Sequence, residues 1–242
     1  MTKILIITKY REMEVWDGTD YSIQKYNSGV YLSAQFVTRM LNSNGYEAVL
    51  EHAIDNNCID RLVTTHSPDI VIIEAYWVVP EKFEELIPLH PNVKWVVRNH
   101  SAMPFIAEEG IIVDWSLRYI DYDNVHVGFN NRRTYEEFKY LAAQKEKEYK
   151  INFLPNYYPL ELIKTNIKRE LFLIEEEIHI GCFGAIRPLK NNLSQAYAAI
   201  KFANELGRKL YFHVNANDVE HSNSPALKNI KSLFNHSENA EL

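Results

Sequence analysis

Two short apolar runs decide the fold: Ile4-Leu5-Ile6-Ile7 near the N-terminus and Ile70-Val71-Ile72-Ile73 further along the chain. A run rich in β-branched residues, without polar alternation, is typical of a strand buried on both faces of a parallel sheet. Similar runs occur at residues 47–50, 93–97, 125–129 and 151–154. Because segments of helical periodicity separate the runs, the sequence predicts an α/β fold with a doubly wound parallel sheet.

Helical periodicity and turn signals indicate what connects these strands. Helices are predicted over residues 30–41, 80–86 and 133–149, the second of them opened by a proline. The polar stretches at 9–27 and 64–69 are predicted to be loops. The connections therefore alternate with the strands, as a Rossmann-like sheet requires.

The pattern changes after Pro155, where an extended and charged stretch leads into a second series of elements. This series consists of strands at 178–183 and 210–214 and helices at 194–206 and from 225 onwards. We expect two domains, residues 1–165 with a Rossmann-like sheet, and residues 166–242 with a linker and the first part of a second Rossmann-like domain. Two strand–helix pairs are few for an independent sheet, so the second domain is expected to be incomplete.

The composition excludes several classes of protein. The 242 residues are 46% hydrophobic and 24% charged, which is typical of a soluble globular protein. A formal net charge of −6 excludes a globally basic nucleic-acid binder, and two cysteines exclude a disulfide framework. Because no apolar run approaches about 20 residues and no signal peptide is recognisable, we expect a cytoplasmic protein without a membrane span.

The first candidate site precedes the first predicted helix, at Ser28-Gly29. Ligands of parallel sheets bind beyond the carboxyl ends of the strands, where helix N-termini offer free N–H groups. Gly29 would let the backbone approach a phosphate closely, and Ser28 would cap the helix or donate to the anion. A plain Ser–Gly helix start is the alternative. Neither a G-x-G-x-x-G fingerprint nor a Walker A sequence occurs in the chain.

The second candidate site is the stretch 181–191, which leads from a predicted strand into a predicted helix. Arg187 and Lys190 are two cations three residues apart beside a helix N-terminus, and they would converge on a diphosphate. A surface role for both is the alternative. Cations usually avoid a helix N-terminus because the helix dipole repels them, so their position favours a functional role.

These motifs resemble the GT-B glycosyltransferases of the large retaining family 4. In that family a glycine-containing loop after the first strand faces the donor phosphates, and Ser28-Gly29-Val30 stands at the matching place. The family's second domain opens with a strand, a glycine, an arginine and a Lys-Asn or Lys-Gly pair. Gly184, Arg187 and Lys190-Asn191 follow the same order.

Two further segments carry the resemblance. Leu154-Pro155-Asn156-Tyr157-Tyr158 is similar to the family's Pro-Asn-Gly-Val-Asp segment between the domains, although tyrosines replace the glycine. Residues 96–100 resemble the family loop whose histidine touches the donor sugar. The resemblance thus implies donor-binding roles for Ser28, Gly29, Gly184 and Asn156, and a catalytic role for His100. The family's Glu-rich nucleotide-sugar motif has no counterpart here, which favours an incomplete donor domain.

The resemblance implies a glycosyltransferase that moves a sugar from a nucleotide-sugar donor to an unidentified acceptor, with retention of configuration. It implies no bound metal and no cofactor, and Arg187 and Lys190 would stabilise the leaving diphosphate. The net charge gives no support to a nucleic acid as acceptor. The alternative function is a non-catalytic module that binds a nucleotide or a partner on a truncated glycosyltransferase scaffold.

Two remaining features have competing structural interpretations. Tyr76 and Trp77 end a predicted buried strand and are candidates for the acceptor side, although aromatic residues at strand ends often belong to the core. Asp121-Tyr122-Asp123 mimics a D-x-D metal motif, but we interpret it as a polar turn. The histidines show no H-x-x-x-H spacing, so zinc is not predicted.

Overall fold

The computed structural model describes residues 1–10, 12–16, 21–25, 29–159, 176–184, 186, 188–214 and 225–242, with the backbone alone at 12–16, 21–25 and 188. The chain divides into two compact units, Met1–Ile163 and Lys164–Leu242. The predicted domain boundary between residues 165 and 166 lies outside the described residues.

The first unit contains eight described strands and six α-helices. The strands are β1 (Lys3–Lys9), β2 (Glu12–Trp16), β3 (Tyr21–Lys25), β4 (Glu47–Ala53), β5 (Ile70–Glu74), β6 (Lys94–Asn99), β7 (Val125–Phe129) and β8 (Ile151–Phe153). The helices are α1 (Gly29–Ser43), α2 (Cys58–His66), α3 (Lys82–Leu89), α4 (Met103–Ile106), α5 (Ile112–Tyr119) and α6 (Arg132–Ala143).

Six of these strands form one parallel sheet in the order β4-β1-β5-β6-β7-β8. After β1 the chain adds β4 on one side of β1 and then β5 on its other side. The strand order therefore reverses between β1 and β5, and this topological switch point is where open α/β sheets bind ligands.

The predicted buried strands form the centre of this sheet. Leu5 and Ile7 pack into the larger core together with Val71 and Ile73, while Ile6 faces a smaller cluster beneath α1. All five side chains are completely buried. Successive residues of a strand point to opposite faces, so continuous apolar runs are required where helices cover both faces.

Three predictions on connections differ from the structure. The predicted loop at 9–27 contains the antiparallel hairpin β2–β3. The predicted loop at 64–69 begins inside α2, because burial of Ile59 and Val63 stabilises a helix that local propensity does not indicate. The helix predicted to reach residue 149 ends at Ala143, and Glu146 then adopts a left-handed φ of 57°.

The second unit contains a three-stranded parallel sheet in the order β11-β10-β9. Its elements are β9 (Glu177–Cys182), α7 (Asn192–Glu205), β10 (Lys209–Val214), α8 (Pro225–Asn235) and β11 (Ala240–Glu241). Leu210 and Phe212 pack against the helices on one face of this sheet. The short β11 corrects the expectation of only two strands. The predicted fold class, α/β with two parallel Rossmann-like sheets, is confirmed.

The turn predicted at Asp121-Tyr122-Asp123 lies between α5 and β7. Asp121 accepts hydrogen bonds from Lys145 and Lys147, at 2.6 and 2.8 Å. The Asp121 carboxylate thus connects the turn to the segment that follows α6. Across the described residues, no helix has the length and apolarity that crossing a membrane requires.

The stability of the first unit should depend on pH through His126, which lies partly buried on β7. Burial, together with the charges of Lys94 and Lys150, lowers the pKa of His126 to about 4 from the ordinary 6.5. Between these values the unfolded chain binds a proton that the folded chain does not, so stability falls as the pH falls from 6.5 towards 4.

We therefore expect His126→Gln to lose less stability than the parent between pH 7 and pH 5. For a fully buried ring, the shifted pKa of His126 would cost about 2 kcal/mol of stability at pH 5. Because the ring is partly exposed, we expect a cost of about 1 kcal/mol. Urea unfolding at the two pH values measures the difference. Equal losses in parent and variant would contradict the assignment.

Candidate functional site

A buried ionic cluster lies at the carboxyl edge of the first sheet. Glu74, at the end of β5, and Arg98, on β6, are direct register partners, so their side chains share one face. Arg98 Nη1 donates to Glu74 Oε1 at 3.0 Å and to Oε2 at 3.3 Å. His100 Nε2 lies 2.5 Å from Glu74 Oε2. Glu74 is 1% exposed and Arg98 is 3% exposed, so both charges are removed from water.

Contacts with Arg98 and His100 keep Glu74 ionised. Burial by itself would raise the pKa of the Glu74 carboxyl, but its hydrogen bonds and electrostatic interactions with His100 and Arg98 together lower it. Glu74 therefore accepts both hydrogen bonds as a carboxylate. The next residue, Ala75, has a left-handed φ of 68°, and its N–H donates to the Arg98 carbonyl at 2.9 Å. Such a conformation is uncommon for a residue other than glycine and often marks a functional site.

Arg98 also holds the chain that leaves β8. Its Nε donates to the Leu154 carbonyl at 3.2 Å, and Nη2 donates to the Pro155 carbonyl at 3.0 Å and to Asn156 Oδ1 at 2.8 Å. We call residues 154–156 the crossing segment, because they run from β8 back over the carboxyl edge. Gly128 of β7 lies directly beneath, where a Cβ atom would come within 2.5 Å of Leu154 Cδ1. A side chain at residue 128 would therefore force the Leu154 side chain to move.

The crossing segment ends against α1. Asn156 Oδ1 accepts from Ser33 Oγ at 3.1 Å as well as from Arg98. Beyond it, the ring of Tyr158 packs edge-on against Phe36, with the ring centroids 6.3 Å apart. The site thus connects β5, β6, the end of β8 and the first half of α1, at the edge that includes the topological switch point.

The structure brings together two of the predicted site residues, His100 and Asn156, which both contact the ionic cluster. Sequence reasoning did not assign a role to Glu74, Arg98 or Ser33. The signal for two of them was present, since an arginine and a glutamate inside otherwise apolar strands must be paired when those strands are buried.

Gly29 is the first residue of α1 rather than part of the preceding loop. Its φ is not left-handed, and a Cβ atom there would meet no other atom within 4 Å among the described residues. Gly29 therefore adopts an ordinary helical backbone, and its N–H belongs to a helix N-terminus. Ser28 lies outside the described residues.

The acceptor-side candidates Tyr76 and Trp77 pack against the large core of the first unit. The Tyr76 hydroxyl lies 2.7 Å from Ser116 Oγ, and burial raises the pKa of that hydroxyl. Trp77 Nε1 donates to the Glu74 carbonyl at 3.0 Å. The core interpretation thus accounts for both rings, and Trp77 additionally supports the backbone at the ionic cluster.

In the second unit, Gly184 and Lys190 lie side by side. Gly184 has a φ of 106°, and a Cβ atom there would lie 3.0 Å from Lys190 Nζ. Lys190 ends a 3-10 turn directly before α7, and no carboxylate contacts its ammonium group within the described residues. Arg187, the second predicted cation, lies outside the described residues. Lys190 therefore stands beside the N-terminus of α7.

No group of three or more His, Cys, Asp or Glu side chains is arranged for a metal ion within the ranges that the structure describes.

Comparisons with known proteins identify a fold. No family model matches the chain, and no curated protein matches it significantly. Among solved structures, UDP-N-acetylglucosamine 2-epimerase from Rickettsia bellii is similar, with a TM-score of 0.51 and 10% sequence identity over 100% of this chain and 68% of that chain. At this identity the likeness shows the fold alone. The chain has a GT-B-like Rossmann fold.

Removing the guanidinium group of Arg98 should destabilise the first unit strongly. Arg98→Met leaves the Glu74 carboxylate buried without its cation and frees the crossing segment, so we expect a loss of about 3–5 kcal/mol. Urea unfolding measures it. The matched control is Arg133→Met, because Arg133 pairs with Glu137 on the exposed face of α6 and should cost less than about 1 kcal/mol. Similar losses in both variants would contradict the role of Arg98.

Proposed function

We propose that this protein is a nucleotide-sugar enzyme, specifically a glycosyltransferase. The observation that carries the proposal is the ionised Glu74–Arg98–His100 cluster at the carboxyl edge of the first sheet. A buried ion pair costs desolvation energy and adds little net stability, so its presence at the edge that binds ligands favours a functional role. The similar fold of an epimerase named for a nucleotide-sugar substrate supports the same substrate class.

The donor diphosphate would bind at the second-unit loop that contains Gly184 and Lys190. Lys190 offers an ammonium group without a carboxylate partner among the described residues, and Gly184 leaves room beside it. Together with Arg187, Lys190 would stabilise the charge that grows on the leaving nucleoside diphosphate. By analogy with one oxyanion-hole donor, each such contact would lower the barrier by about 2.7–4 kcal/mol.

In the first unit, Asn156 and the N-terminus of α1 at Gly29, with Ser28, would contact the donor, and His100 would be a catalytic residue. Asn156 is held rigidly by Arg98 and Ser33, which suits a binding group that must be preorganised. A non-catalytic binding module would need no ionised carboxylate–histidine contact, so the cluster favours the enzyme over that alternative.

Binding of the donor can be tested with nucleoside diphosphates and their sugars in a thermal-shift screen. A ligand that binds only the folded protein raises its stability by mass action. Chromatography of the reaction mixture then distinguishes sugar transfer from hydrolysis and from epimerisation. A screen without any stabilising nucleotide-sugar would contradict the proposal.

Lys190→Ala and Arg187→Ala should each lower the transfer rate on the order of a hundredfold, since each removes one preorganised cation from the leaving group. The matched control is Lys201→Ala, because Lys201 is an exposed lysine of α7 whose nearest carboxylate is Glu205 at 3.8 Å. All three variants should melt within about 2 °C of the parent. If Lys190→Ala and Arg187→Ala transfer sugar as fast as the control, the diphosphate site lies elsewhere.

A further inference from the structure

Three histidines of the first unit contact a carboxylate within the described residues: His66 with Glu51 at 2.9 Å, His90 with Asp60 at 2.8 Å and His100 with Glu74 at 2.5 Å. Only the third pair is shielded from water on the carboxylate side. The Glu51 and Asp60 side chains are 36% and 50% exposed, whereas the Glu74 side chain is 0% exposed. Water cannot replace the contact between Glu74 and His100, so this contact fixes the imidazole ring.

The direction of that hydrogen bond defines the state of the ring. Glu74 accepts from Arg98 and is a carboxylate, so it has no proton to donate. His100 must therefore carry a hydrogen on Nε2 and donate it. In the neutral ring the lone pair then lies on Nδ1. Within the described part of the chain Nδ1 has no hydrogen-bond partner, and 13% of the His100 side chain remains exposed.

We infer that His100 Nδ1 is the general base that takes the proton from the acceptor's hydroxyl group, a saccharide or other alcohol, and that Glu74 is its positioning residue. The inference rests on the proposed glycosyl transfer. As the acceptor oxygen bonds to the anomeric carbon, its proton moves to Nδ1. The bond from the anomeric carbon to the diphosphate oxygen breaks, and the nucleoside diphosphate leaves with that electron pair. The imidazolium then releases its proton to water.

Arg98 supports this proton transfer indirectly, through Glu74. It keeps Glu74 ionised, and Glu74 in turn stabilises the imidazolium that forms, as a buried carboxylate does for a catalytic histidine. The other charged group next to the ring's own segment is Glu109, which accepts from Ser101 Oγ at 2.7 Å. The carboxylates of Glu74 and Glu109 favour the protonated ring after transfer, whereas the positive charge of Arg98, which is paired with Glu74, opposes it.

The kinetic test compares His100→Gln with the matched control His90→Gln. Both histidines contact a carboxylate and are nearly equally buried, with 13% and 12% of their side chains exposed, but His90 follows α3 and precedes β6, away from the carboxyl edge. His100→Gln should lower kcat by about 10²–10⁴-fold with little change in KM, and it should abolish the loss of rate towards acid pH that a histidine base would give the parent. His90→Gln should retain both. A parental kcat and pH profile in His100→Gln would overturn the inference.

Glu74→Asp tests the positioning role, because it keeps the charge for Arg98 but withdraws the oxygen from the ring. We expect kcat to fall at least tenfold while the variant stays folded, and the acid limb of its pH profile to move. If the folded variant keeps the parental kcat and the parental acid limb of the pH–rate profile, the positioning role of Glu74 is overturned.

A readout independent of activity separates this inference from the proposed function. Nitrogen NMR of the labelled parent at neutral or slightly alkaline pH should show His100 protonated on Nε2 and bare on Nδ1, and Glu74→Asp should weaken that preference. A proton resident on Nδ1 of the neutral ring would overturn the base role, even if transfer is confirmed. Failure of the nucleotide-sugar screen would instead contradict the proposed function and leave this spectrum unchanged.

The stereochemistry of transfer also tests whether His100 acts as a base. The resemblance implies retention, which does not use a side-chain base, whereas a base on the acceptor hydroxyl belongs to a single displacement with inversion. We expect proton NMR of the first product formed to show the inverted anomer. A retained product would overturn the role of His100 as base while confirming glycosyl transfer.

Discussion

The arrangement of the carboxyl edge of the first sheet depends on the guanidinium group of Arg98. Its Nη1 neutralises Glu74, and its Nε and Nη2 hold the crossing segment at two backbone carbonyls and at Asn156 Oδ1. A planar group with five donors can serve an anion and a chain segment at once, which an ammonium group cannot do. The position of Asn156, the ionisation of Glu74 and hence the orientation of His100 all follow from this one side chain.

Stability alone does not account for the buried Glu74–Arg98 ion pair. Taking two charges out of water is expensive, and apolar residues of similar volume often stabilise a core as well or better. The surrounding strands show that this chain can build such a core, since Val97 and Ile73 next to the pair are completely buried. What apolar residues cannot do is fix a backbone segment by directed hydrogen bonds or orient an imidazole. The ion pair is therefore best understood as the means by which a rigid sheet positions polar groups at its edge.

The sequence predicts the sheet well because its evidence is local. Apolar runs such as Ile70–Ile73 have to be buried on both faces, and glycines and prolines mark where strands and helices end. The cluster depends on register, which no local pattern shows: Glu74 and Arg98 are 24 residues apart and meet only because β5 and β6 pair in one particular alignment. His100 and Asn156 were found through short motifs of a resemblance, whereas α2 and β11 were missed because tertiary burial and pairing, not propensity, stabilise them.

The two units carry different chemical groups. The first supplies an ionised carboxylate and a histidine whose lone pair is directed by it, which suits proton transfer. The second supplies a cation beside a glycine and the N-terminus of α7, which suits a leaving diphosphate. A histidine base gains most when the leaving group is stabilised separately, because the proton then moves as the bond to the leaving group weakens. In the proposed transfer, the base would act on the acceptor hydroxyl and the cations on the leaving diphosphate, so neither group could replace the other.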